Sequence, residues 1–248
     1  MPRYKCVVQY EGYNYVGWQT QKNGLAIQEV IERALFSITK KKIDIISSGR
    51  TDAKVHAMNQ VFHFDSDCSL SLFDWKKALN GHLPDDIYIK TIEIVQNNFH
   101  SRFHAINKRY DYYINLGEYD AFNRHLMYQC PHELDVEYME RCSKLFIGTH
   151  DFSTFCGNSY TTHPNQTRKV NSIIFSRDKD ILKISYEGKG FLRYMVRMIT
   201  GALIEAARHR LSYDDLSRML ESKNKDACKW NAKPWGLYLV KVDYTTEI

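Results

Sequence analysis

An α+β fold is the class this sequence predicts, and three observations predict it. Segments rich in β-branched and aromatic residues alternate in strand fashion, apolar residues elsewhere recur at helical spacing, and the series of elements begins again near residue 106. The expected division is an N-terminal α/β half over 1–105 and a C-terminal half over 106–248. No repeat is visible residue by residue. Both halves nonetheless mix antiparallel-type strands with helices, which suggests a duplicated architecture.

Taken in order, Arg3 to Tyr10 alternates as a strand and ends at Glu11-Gly12. A loop rich in aromatic and amide groups follows (Tyr13, Tyr15, Trp18, Gln19, Gln21). Ile27, Val30, Ile31, Ala34, Leu35 and Ile38 recur at helical spacing, so an amphipathic helix is expected from Ala26 to about Thr39. Lys40 to Lys42 beyond it reads as a solvated helix end favoured by the macrodipole, or as a phosphate contact. Ile43 to Ser47 and Gln60 to Asp65 read as strands around the polar loop Ser48 to Ala57. Leu70 to Asn80 is expected as a helix and Asp86 to Val95 as a strand. In the second half Lys108 to Leu116 is a tyrosine-rich strand and Glu137 to Ile147 a helix. Val170 to Ser176 and Ile181 to Tyr186 form a hairpin. Cys156 to Gln166, poor in apolar residues, reads as an exposed loop. Gly190 to His209 is expected as a long helix, Tyr213 to Glu221 as a shorter one, and Gly236 to Tyr244 as the closing strand.

Composition bounds the function. Of 248 residues, 44% are hydrophobic and 25% charged, the mix of a soluble globular protein. With 34 Lys and Arg against 29 Asp and Glu the formal charge is +5, compatible with a polyanionic partner without demanding one. Seventeen tyrosines on a basic chain suit base stacking, although Tyr is also an ordinary strand residue. The six cysteines, at 6, 68, 130, 142, 156 and 228, make no C-x-x-C pair. The start carries no signal-peptide apolar segment, and no apolar run reaches the roughly 18 residues of a membrane span. Reduced thiols in a cytoplasmic protein are therefore expected. Walker, G-x-S-x-G and Cys-His patterns are lacking, so nucleotide hydrolysis and acyl transfer have no support.

The strongest local signal is Gly49-Arg50-Thr51-Asp52-Ala53 between two strands. A carboxylate two residues from a guanidinium, in a loop opened by glycine, is a candidate ionised nucleophile or base. The alternative is an Asx-turn braced by a surface ion pair, worth about 0–1 kcal/mol. His56 could couple with Asp52, or simply be a partly buried residue leading into the next strand. His100 and His104 have zincin spacing but lack the glutamate of H-E-x-x-H and a third ligand. Lys189 and Arg193 at an expected helix N-terminus could hold a phosphate. Arg197, four residues after Arg193, would continue a basic stripe or a solvated face. Lys108-Arg109-Tyr110 sets cations around a ring that could stack on a base, whereas Tyr110, Tyr112 and Ile114 share a strand face and suit a core.

Together these segments resemble the bacterial tRNA pseudouridine synthase A family along nearly the whole chain. Ser48 to Ala57 is similar to the family's G-R-T-D-A-G-V-H-A segment, and Gly17-Trp18-Gln19 with Gln21 to its G-W-Q-x-Q loop. Leu79-Asn80, Leu83-Pro84, Asp86-Ile87 and Phe99 to Phe103 follow in the family's order. So do Lys108 to Tyr110, Gly148 to Phe152, Gly190 to Leu192, Met195 to Arg197 and Gly236 to Leu239. Three departures stand out: Lys54 for glycine, Ser101 for alanine, and Lys233-Pro234-Trp235 before the last strand.

The resemblance implies two related α/β halves around a central basic active-site cleft, acting as a homodimer on tRNA. It implies conversion of uridine to pseudouridine at positions 38 to 40 of the anticodon stem-loop, with no metal and no cofactor. Asp52 maps onto the catalytic aspartate and Tyr110 onto the active-site tyrosine. Arg50 and Arg197 would orient the carboxylate or the RNA, and Lys54 and Lys189 are candidate phosphate contacts. Two rival classes remain on sequence grounds: a non-catalytic RNA-binding module, and a metal-dependent hydrolase built on His100 and His104.

Overall fold

The computed structural model describes residues 1–161 and 163–245. In chain order its strands are β1 (Arg3–Tyr10), β2 (Ile46–Ser47), β3 (His56–Asp65), β4 (Ile87–Val95), β5 (Ala105–Asn115), β6 (Tyr128–Gln129), β7 (Gly148–Asp151), β8 (Thr167–Asp178), β9 (Ile181–Gly188) and β10 (Leu237–Tyr244). The helices are α1 (Ile27–Thr39), α2 (Leu72–His82), α3 (Val136–Ser143), α4 (Met195–Ala207) and α5 (Tyr213–Ser222). The chain divides into two compact units, Met1–Lys108 with the segment from Tyr238 onward, and Arg109–Leu237. The sequence places the division near 105/106 and leaves the closing strand in the second half. That strand instead belongs to the first unit, where Tyr238 and Leu239 pair in parallel with His56 and Ala57.

In the first unit β1 lies between β3 and β4, antiparallel to both, and β2 adds two residues beside β3. The alternation legible in β1 is realised: Tyr4, Cys6, Val8 and Tyr10 are buried. Ile27, Ile31, Ala34 and Leu35 of α1 and Trp75 and Leu79 of α2 are likewise buried. Tyr4, Phe64 and Trp75 meet with ring centroids 5.2–5.5 Å apart. Aromatic pairs of this kind are worth about 0.5–1.5 kcal/mol beyond the area they bury. The second unit carries the order β5-β9-β8-β7, with β8 antiparallel to both neighbours. Leu182, Ile184 and Tyr186 of β9 and most of α4 are buried.

Several boundaries differ from expectation, each for a reason visible in the hydrogen bonding. The strand expected over Ile43 to Ser47 shrinks to Ile46–Ser47, because the Ile45 amide donates to the Glu32 carboxylate at 3.1 Å instead of to a neighbouring strand. The helix expected from Gly190 starts at Met195. Tyr194 caps it in the left-handed region (φ 63°), while the Arg193 backbone is tied to Gly157 and Asn158. The loop from Cys156 to Gln166 is exposed only in its middle. Cys156 and Gln166 are themselves buried and joined by a 3.1 Å thiol-to-amide hydrogen bond. All six cysteines are free thiols. Among the described residues no helix is long and apolar enough to cross a membrane.

Ser101, the departure from alanine, is buried. Its hydroxyl donates to the Ile46 carbonyl at 2.5 Å, and its amide donates to His63 Nδ1 at 3.2 Å. Burial, reinforced by the Arg3 and His100 cations, pushes His63 down from 6.5 to about 4. The folded chain therefore resists a proton that the unfolded chain accepts, and stability falls as pH drops from 6.5 towards 4. For His63→Gln, urea titrations across that range are expected to lose less stability than the parent, by up to about 1.4 kcal/mol per pH unit. An identical acid slope in the two proteins would show that His63 is not the group responsible.

Candidate active site

The loop bearing Asp52 is held at nearly every carbonyl. Ser48 donates its amide to the Val61 carbonyl (2.7 Å) and its hydroxyl to Gln60 Oε1 (2.6 Å). Gln60 Nε2 returns to the Gly49 carbonyl at 2.9 Å, and Lys108 Nζ donates to the Ser48 carbonyl at 2.6 Å. The Thr51 carbonyl accepts from the Trp18 amide (3.1 Å), while its hydroxyl meets Tyr10 Oη at 2.8 Å. The Asp52 carbonyl accepts from the Val55 amide at 3.2 Å, closing a turn with Ala53 and Lys54 at its centre. Ser48 and Thr51 are buried, Arg50 is exposed and Asp52 is half-buried. The backbone that carries Asp52 is thus tied from several sides.

The aromatic loop after β1 is the second wall of this arrangement. The Tyr15 carbonyl accepts from the Lys54 amide at 3.1 Å, and the Gly12 amide donates to His56 Nδ1 at 3.1 Å. His56 is thus the buried strand residue of the blander expectation, with its ring stacked on Tyr238 at 4.5 Å. Gly17 has a φ of +109°, and a Cβ there would lie 2.7 Å from the Thr51 carbonyl oxygen. Only glycine permits both that conformation and that approach.

Lys54 stands where glycine is the expected residue, and the reason is visible. Its φ is +66°, at the third position of a four-residue turn, which favours glycine. Its ammonium lies 4.5 Å from the centroid of the Tyr13 ring, a cation–π contact worth about 0.5–1 kcal/mol at such a site. Lys54→Gly should relieve the left-handed backbone and lose that contact, leaving stability within about 1 kcal/mol of the parent. For the tRNA activity and the Lys54 phosphate contact that the resemblance implies, turnover is expected to stay within about tenfold, with a salt slope shallower by roughly one phosphate, about 0.7–0.9 in log–log units. A turnover loss beyond about 100-fold, roughly 2.7 kcal/mol, would instead assign Lys54 to the chemistry.

In the second unit Tyr110 is 9% exposed and meets Phe191 edge-on at 5.4 Å; Tyr112 and Ile114 are fully buried. Lys189 is exposed in the segment before α4. The basic stripe expected from Arg193 and Arg197 is not formed on a helix face, since Arg193 precedes the helix and Arg197 is buried. Both guanidinium groups instead lie over the Tyr194 ring, at 4.6 and 5.3 Å, and Arg197 Nε donates to the Ala232 carbonyl at 2.9 Å. His100 and His104 lie in a turn, not on a helix, and the Nδ1 atoms of both accept backbone amides. Among the described residues no three His, Cys, Asp or Glu side chains are grouped to hold a metal. Sequence reasoning missed the supports of the loop, namely Tyr10, Gly17, Gln60 and Lys108. Gly17 stood in the G-W-Q-x-Q segment and Lys108 in the basic cluster before Tyr110, but neither position signalled a contact with this loop, and Tyr10 and Gln60 carried no signal.

Comparison with known proteins assigns the class, a pseudouridine synthase and therefore an isomerase. The model of the tRNA pseudouridine synthase family matches residues 6–104 and 142–245, in both units, and the chain belongs to that family. It is 40% identical over 244 residues to tRNA pseudouridine synthase A of Exiguobacterium sibiricum, covering 98% of this chain and 97% of that one. The proteins of the same name from Bacillus licheniformis and Bacillus subtilis are 40% and 39% identical over 245 residues, covering 98% of this chain and 99% of theirs.

Proposed function

We propose that this enzyme converts uridine to pseudouridine at positions 38 to 40 of the tRNA anticodon stem-loop, with Asp52 as the catalytic group. The observation that carries the reading is full-length similarity to relatives named tRNA pseudouridine synthase A, together with a half-buried carboxylate on a loop held from several sides. The reaction breaks the bond from uracil N1 to the ribose, turns the base, and joins C5 to the same sugar carbon. A proton leaves C5 and one is gained at N1, so the product is an isomer and no redox partner is required. A paired base cannot turn in place, and extruding it costs a few kcal/mol. Stacking against Tyr110 would offset about 1–3 kcal/mol of that cost. Asp52 attacks the sugar carbon or removes the C2′ proton; either role needs the ionised carboxylate.

Arg50, exposed beside Asp52, is assigned to the RNA backbone or to the space the base vacates. Lys54 and Lys189 are assigned to phosphates, and Arg197, anchored through Ala232, to a carboxylate or phosphate. The active species is a cytoplasmic homodimer whose second subunit holds the rest of the tRNA. The test is incubation with unmodified tRNA transcript in the presence of a chelator, followed by mapping of pseudouridine. Modification confined to positions 38 to 40 is expected. Modification elsewhere would move the target, binding without product would favour an RNA-binding module, and activity lost to chelator would favour metal-dependent chemistry.

A further inference from the structure

Lys108 brings a long cation to the Asp52 loop, and its surroundings are unusual for a lysine. The side chain is buried, and its ammonium donates to the Ser48 carbonyl at 2.6 Å. Among the described residues no carboxylate pairs with it, and Arg102 adds a second positive charge nearby. Burying an ammonium without a counter-ion is costly, and an apolar side chain would avoid that cost. Burial, with Arg102 adding to it, pushes the group down to about 8. What the cation supplies in return is a charge-assisted hydrogen bond, roughly twice as strong as a neutral one, to the backbone at the head of Gly49-Arg50-Thr51-Asp52.

We propose that Lys108 is a positioning residue for the isomerisation: its ammonium holds the Ser48 carbonyl and so sets the path of the backbone that presents Asp52. The inference rests on Asp52 being the catalytic group. Gly49 gives independent access to the same contact, because a Cβ there would lie 2.9 Å from Lys108 Nζ and meets nothing else within 4 Å. Its φ is not in the left-handed range, so alanine suits the backbone. The obstruction is the terminal atom of a flexible side chain, not backbone, so it can shift without moving the main chain. Gly49→Ala should therefore fold and displace the ammonium from Ser48.

The experiment measures kcat and KM on unmodified tRNA transcript for the parent, Lys108→Met, Gly49→Ala, the double variant and Asp52→Asn. A misplacement of order 1 Å costs about 100-fold in rate. Lys108→Met is accordingly expected to lose about 10- to 100-fold in kcat with KM within about threefold, and Gly49→Ala to lose about 10-fold. The double variant should fall no further than the worse single, because both changes break one contact. Should Lys108→Met fail to fold, Gly49→Ala alone decides: a kcat within threefold of the parent overturns the proposal. So would an unchanged kcat with raised KM in Lys108→Met, which would make it an RNA contact, or multiplicative losses in the double variant. If Asp52→Asn is inactive while Lys108→Met is fully active, only the positioning role is lost. If Asp52→Asn keeps its turnover, the catalytic reading itself falls and takes this one with it.

Discussion

Asp52→Asn should reduce pseudouridine formation by at least about 10³-fold, roughly 4 kcal/mol, while tRNA affinity stays within about tenfold, or 1.4 kcal/mol. Asparagine is nearly isosteric with aspartate. The turn that carries residue 52 is closed through its backbone carbonyl, which accepts from the Val55 amide at 3.2 Å, so the side-chain change leaves that bond intact. The neighbouring ties, from Trp18 to the Thr51 carbonyl and from Tyr10 to the Thr51 hydroxyl, involve other residues entirely. Affinity for a folded RNA comes mainly from phosphates and shape, which one uncharged substitution scarcely alters. The amide lacks charge: it can neither attack a sugar carbon as a carboxylate nor take up a proton effectively. Single-turnover rates and binding constants measured on the same preparation decide the matter. Residual turnover above a few per cent would remove Asp52 from the chemistry, and parallel collapse of binding and rate would return it to a structural turn.

Local pattern was enough for the elements whose burial follows a period. β1 alternates and α1 repeats at helical spacing because one face of each is in the core, and both have the expected bounds to within a residue. The start of α4 was not legible, because Tyr194 takes a left-handed backbone only where the preceding residue is tied to Gly157 and Asn158, far away in sequence. Arg197 read as part of a solvated or RNA-facing stripe for a similar reason. Arginine is exposed by default, whereas here Arg197 Nε donates to the Ala232 carbonyl and its guanidinium lies over the Tyr194 ring. Spacing alone does not separate Asp52 from an Asx-turn; the reading of Asp52 as the catalytic group rests on the ordered series of motifs around it. Lys54 was legible as a departure, but the positive φ that glycine would relieve belongs to the folded turn.

Gly17→Ala is the substitution expected to reach Asp52 from outside its own loop. The new Cβ would stand 2.7 Å from the Thr51 carbonyl oxygen and 3.0 Å from the Asp52 carbonyl carbon, both backbone atoms that cannot rotate away. It would also place alanine at a φ of +109°, a conformation L side chains rarely adopt. The two segments are joined by the Trp18 amide to the Thr51 carbonyl and by the Lys54 amide to the Tyr15 carbonyl, so one must be pushed off the other or the whole turn must shift. Overpacking of this kind costs about 1–3 kcal/mol of stability. A reacting group displaced by more than about 0.5 Å leaves the productive range, so kcat is expected to fall about 10- to 100-fold. Gly81→Ala is the matched control: it lies in α2 with nothing within 4 Å of the added carbon. It should gain about 0.5–1 kcal/mol from helix propensity and leave turnover alone. If Gly17→Ala lowers the unfolding midpoint but keeps the parent kcat, the loop after β1 is only a strut, and the placement of Asp52 is governed by Ser48, Gln60 and Lys108 instead.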